Sequence, residues 1–133
     1  MTTIDERHQM IERNVMCRPE AVVEDTIVLW DLLAAELVAI IGRIGFDTLY
    51  ARSIHMVRGQ YPWLAEGGDP DRFKLRASLA ERTPALAGAA SSALLATFTD
   101  TLTQLIGESL TTAILRSAWG QNIADNAAKG IEQ

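Results

Sequence analysis

Apolar residues recur every three or four positions through two long stretches of the chain. From Pro19 onward Val23, Ile27, Trp30, Ala34, Leu37, Ile41 and Ile44 trace one face of a helix, and Val22, Leu29, Leu33 and Ile40 widen it. Glu24, Asp25, Asp31, Glu36 and Arg43 occupy the other side. The pattern runs on through Phe46, Leu49, Tyr50 and Ile54 to Val57, and Gly59 and Pro62 then close it. A second stretch opens with the cap-and-proline pair Thr83-Pro84 and reaches Trp119, with Gly120 as a stop signal. Between Arg82 and Arg116 its only charges are Asp100 and Glu108, which read as a solvent stripe. Two shorter helices are predicted: a polar one over residues 3–14 with a Thr3/Glu6 capping box, and a charged one over residues 70–82 opened by Asp69-Pro70. Residues 121–133 lack an apolar stripe and are expected to fray. The β-branched residues sit at helical spacing, so no strand is predicted.

The expected fold is therefore a single all-α domain over residues 1–133. It is a bundle of about four helices dominated by two long antiparallel ones, residues 19–58 and 84–119. Residues 1–18 supply the polar helix and a connector. Each long helix carries internal glycine, in "LVAIIGRIG" (37–45) and "LTQLIGESL" (102–110). Glycine inside a helix costs about 1 kcal/mol relative to alanine. When Leu37 is set against Leu102, Ile40 meets Leu105, Ile41 meets Ile106, Gly42 meets Gly107 and Leu49 meets Ile114. The match suits a weak internal duplication, or chance likeness between two Leu/Ala-rich helices. Gly42, Gly45 and Gly107 are the expected helix-crossing positions, where a missing side chain lets two helix axes approach. Kinks are the alternative, because a straight helix over 84–119 would measure about 54 Å.

Composition narrows the functional classes. Hydrophobic residues make up 48% and aromatics 6%, a mix that suits aliphatic helix packing. The net charge of −5 disfavours a nucleic-acid surface. The longest uncharged run, Thr83 to Thr99, is 17 residues and diluted with Gly, Ser and Thr, so no membrane span is expected. Cys17 is the only cysteine, and the acidic start shows no signal peptide, which together suit a soluble cytoplasmic protein. The apolar faces are wider than one neighbour can cover, which predicts self-association as a homodimer, with an unidentified protein as a further partner.

Candidate chemistry is sparse. Ser91, Ser92, Ser109 and Ser117 lack a nucleophile-elbow pattern, and there is no phosphate loop or dinucleotide fingerprint. Asp5, His8 and Glu12 share a helix face, yet three ligands on one solvated helix rarely hold a metal, so no metal and no cofactor are expected. In the loop, Tyr61, Trp63 and Leu64 either fold back to plug the bundle or form a partner-binding patch. The run "IHMVRGQ" resembles the phosphorylated-histidine motif of histidine phosphotransfer domains, which are acidic all-helical modules. The resemblance implies that His55 takes phosphate, Arg58 steadies it and Gly59 admits the partner. It departs at Tyr61-Pro62, where the helix ends. Read from the residues alone, His55 is a half-buried histidine near a helix terminus, where its positive form suits the dipole. The leading expectation is a non-catalytic protein acting by protein–protein contact. A histidine phosphotransfer module and a carrier of a small apolar ligand, held in a cavity between the long helices, are the alternatives.

Overall fold

The computed structural model describes the backbone of residues 4–66 and 72–131 and the side chains of residues 5–66 and 72–120. Among these residues there are helices and no strands. The order is α1 (Ile4–Val15), a 3₁₀ turn (Pro19–Ala21), α2 (Val22–Val57), α3 (Phe73–Ala80), α4 (Pro84–Ile106) and α5 (Glu108–Ile131). Thr83 caps α4 as expected, its hydroxyl accepting from the Leu86 N–H at 3.3 Å. The last helix does not stop at Gly120; its backbone continues to Ile131. The start of the predicted 70–82 helix, through Asp71, lies outside the described residues.

The two glycines share one conformation, and it is not helical. Gly42 has φ 80°, ψ 167° and Gly107 has φ 91°, ψ 162°. This region of backbone space is open essentially to glycine alone. A Cβ built at either position would meet nothing within 4 Å. Their role is thus to turn the chain, and the expected close helix crossing at Gly42 and Gly107 gives way to two sharp corners. Gly45 does sit close to a neighbour, since its missing methyl leaves room for the Ile41 side chain, 3.3 Å from where a Cβ would be. A nearer approach between elements is at Gly88, where a methyl would collide with Met16 Sδ.

Ring contacts show how far the corners bend. Trp30 and Tyr50 lie 5.1 Å apart between centroids, and Trp30 and Phe46 lie 6.4 Å apart. Twenty residues of straight helix would separate the first pair by about 30 Å. The segments before and after Gly42 therefore form a hairpin. The α4–α5 segment does the same around Gly107: Phe98 lies 5.0 Å from Trp30, while the Trp119 indole N–H donates to the Leu29 carbonyl at 3.0 Å. Antiparallel pairing thus falls within each hairpin. Met16 packs on Gly88 and Trp30 on Phe98, so the outgoing segment of α2 rises alongside α4 in the same direction. Both corners consequently emerge at one end of the bundle.

The core fills the space between the hairpins. Trp30, Phe46, Tyr50 and Phe98 form its aromatic centre, extended by Leu33, Leu37, Leu94, Leu102 and Trp119. Burying each such side chain contributes about 1.5–3 kcal/mol relative to exposure. Residues spaced 65 positions apart occupy equivalent places. Pro19 and Pro84 both open long segments. Thr26/Ser91, Leu29/Leu94, Leu37/Leu102, Tyr50/Leu115 and Ile54/Trp119 are buried in pairs, and Ile40/Leu105 are exposed in both halves. The hydroxyls of Thr26 and Ser91 even share the lack of a hydrogen-bond partner. The short helices are exchanged between halves: α1 packs chiefly on α4, and α3 on α2.

Candidate functional site

The loop after α2 closes the end of the bundle opposite the corners. Leu64 is 1% exposed, so it is core and not a partner-binding residue. Tyr61 and Trp63 meet edge-on at 6.0 Å, partly buried against the core, and the Arg82 guanidinium covers the Trp63 ring at 4.8 Å. Arg58 ties the loop down, donating from Nε to the Leu64 carbonyl at 2.8 Å. Tyr61, Trp63 and Leu64 therefore fold back over the bundle end, the first of the two arrangements that the sequence allowed.

His55 is exposed, contrary to the half-buried reading, but it is not alone. Its Nδ1 lies 2.9 Å from Glu66 Oε2, and Arg58 Nη1 lies 3.4 Å from the same oxygen. The hydrogen bond with His55, followed by the charge of Arg58, holds the Glu66 carboxyl below the usual carboxylate range. α2 ends two residues beyond His55, at Val57. A phosphoryl group on this imidazole would face a carboxylate, and Arg58 is already engaged by loop carbonyls. At Gly59 a Cβ would make only ordinary contact with the Met56 carbonyl, 3.4 Å away.

His8 belongs to a different cluster. Its Nε2 lies 2.9 Å from Asp100, and Arg7 binds Asp100 at 2.6 Å and Glu108 at 2.8 Å. Arg7 is 2% exposed. Asp100 and Glu108 are thus not a solvent stripe; they neutralise a buried guanidinium from α1. Asp5, His8 and Glu12 do not converge, and no group of three metal-capable side chains occurs among the described residues. No helix among these residues is long and apolar enough to cross a membrane. A cleft of about 830 Å³ between α1 and α4, lined by His8, Met16, Tyr61 and Gly88 among others, opens on the surface and is not a closed ligand chamber.

The corner end carries the apolar surface that the fold leaves uncovered. Ile44 is 82% exposed, Leu105 69%, Ile40 52% and Leu110 44%. Ile41 and Ile106 lie half-buried beneath them. Both halves contribute: Ile40 and Leu105 stand two residues before their glycines, and Ile44 and Leu110 two or three after. The sequence pattern assigned Ile40 and Ile44 to the buried face, because a corner leaves helical spacing unchanged while turning those residues outward. The chain as a whole has no match among protein-family models, curated proteins or solved structures.

Proposed function

We propose that this protein is a non-catalytic helical module of the cytoplasm that associates with a second copy through its corner end. The exposure of Ile40, Ile44, Leu105 and Leu110 around two glycine turns carries the reading. A two-fold interface is isologous, so each of these side chains would contribute once from each copy. Scaled by their exposure, eight such side chains contribute about 10 kcal/mol gross. Association costs about 4–15 kcal/mol in lost freedom. The balance places the dimer in a weak, concentration-dependent regime, which suits a reversible contact.

Sedimentation velocity across the micromolar-to-millimolar range tests this. The wild type should pass from monomer to dimer, and Ile44→Asp with Leu105→Asp should remain monomeric with unchanged helicity. A wild type that stays monomeric throughout, or a double variant that still dimerises, contradicts the proposal. One observation favours phosphotransfer through His55 as a second reading, namely the exposure of its imidazole. Its test is a phosphoryl mass gain on treatment with phosphoramidate that disappears in His55→Gln.

A further inference from the structure

The equivalence of the two halves extends to an arginine that reaches inward, buried at Arg7 and half-buried at Arg72. Arg7 and Arg72 stand 65 positions apart, each carried by the residues of a short helix or its cap, and each reaching the hairpin of the other half. In both, Nε lacks a hydrogen-bond partner. The surroundings then diverge. Arg7 is closed over by two carboxylates, Asp100 at 2.6 Å and Glu108 at 2.8 Å. The positions equivalent to Asp100 and Glu108 in the first half are Ala35 and Arg43. Among the described residues Arg72 meets one carboxylate, Asp31 at 2.6 Å, with its guanidinium 5.9 Å above the Phe46 ring. Where the second hairpin supplies two negative charges, the first supplies one negative and one positive.

Space accompanies the missing carboxylate. A cleft of about 320 Å³, open on the surface, lies beside Arg72 and is lined by Asp31, Ala34, Ala35, Val38 and Arg43. Arg43 projects at 62% side-chain exposure, 3.8 Å from the equally exposed Asp47. Arg72 also holds a left-handed backbone, φ 55° and ψ 37°, the sole non-glycine residue with positive φ among those described. Non-glycine residues held in this region cluster at ligand clamps and active sites.

We propose that this cleft binds a small carboxylic acid with an apolar body. Its carboxylate would take the place that Asp100 and Glu108 fill against Arg7, held between Arg43 and Arg72 by charge-assisted hydrogen bonds. Its apolar part would lie on Ala34, Ala35 and Val38. The cleft, about 320 Å³ and open to solvent, has room for a small acid such as 3-methylbutanoate or benzoate. The proposal does not depend on dimerisation.

Two-dimensional NMR on the full chain tests it, titrating sodium 3-methylbutanoate, with 3-methylbutanamide and inorganic phosphate as separate arms. The acid should give saturable shifts over residues 34–43 and at the Arg72 side-chain Nε–H. The neutral amide and phosphate should not. Ala35→Asp restores the carboxylate of the other half and should abolish binding. Arg43→Gln should weaken it at least tenfold, and its exposed position keeps the test decisive if Ala35→Asp misfolds. Absence of saturable shifts with the acid, equal shifts with the amide, or tighter binding of phosphate would overturn the proposal. So would an Arg43→Gln variant that binds as the wild type does.

Discussion

Replacing Gly42 by alanine isolates what the corner requires. The backbone there has φ 80° and ψ 167°, and a Cβ would meet nothing within 4 Å, so no steric neighbour contributes to the cost. Forcing an L-residue into that region costs up to about 3 kcal/mol. Against this, alanine lowers the entropy of the unfolded chain by up to about 1 kcal/mol. The net destabilisation is about 2 kcal/mol, or a fall in Tm of about 6–10 °C for a domain of this size. Gly107→Ala should behave alike, since its φ of 91° and its open surroundings match. Gly120 supplies the control: it is helical and equally uncrowded, so Gly120→Ala should stabilise by up to about 1 kcal/mol. D-alanine at position 42, whose preferred φ is positive, should be tolerated where L-alanine is not. Urea unfolding followed by far-UV circular dichroism reads all four. If Gly42→Ala stabilises as Gly120→Ala does, residue 42 needs no positive φ and the corner is wrongly described.

Three further outcomes are expected. Arg7→Met should destabilise by about 1–3 kcal/mol, because it leaves Asp100 and Glu108, each about a third exposed, side by side without their cation, and adding Asp100→Asn and Glu108→Gln should recover part of the loss in urea unfolding. The Glu66 side chain, followed by NMR, should titrate below an ordinary glutamate; its stabilising contact is complete above the unfolded carboxylate's pKa and is lost as pH falls through the folded one, and His55→Ala should move its midpoint back up. Trp119→Phe should cost about 1 kcal/mol through loss of the hydrogen bond to the Leu29 carbonyl, again measured by urea unfolding.

The helices were legible because the buried residues of each one recur at three-and-four spacing. Thr83-Pro84 and the run from Val22 to Leu37 are read correctly from local pattern alone. The corners were half legible. The glycines stood out as costly and paired, but hydrophobic periodicity passes through Gly42 undisturbed because the segments on either side face the same core. Ile40 and Ile44 therefore carry a buried pattern at exposed places. The arginine clusters were not legible at all. Arg7 meets its carboxylates across 93 and 101 positions of chain, and nothing local to Asp100 announces a buried partner. His55 illustrates the same limit, since Glu66 reaches it only after the loop has folded back.

The hairpin in α2 is the claim on which the shared apolar end and the equivalent arginine clusters both rest. Spin labels at Val28 and Arg52, both at exposed positions, placed in a Cys17→Ser background, measure it directly by pulsed electron–electron resonance. A chain turned back at Gly42 brings the two labels to about 25 Å or less, two helix diameters apart. A distance near 36 Å, the length of twenty-four residues of unbroken helix, would contradict it.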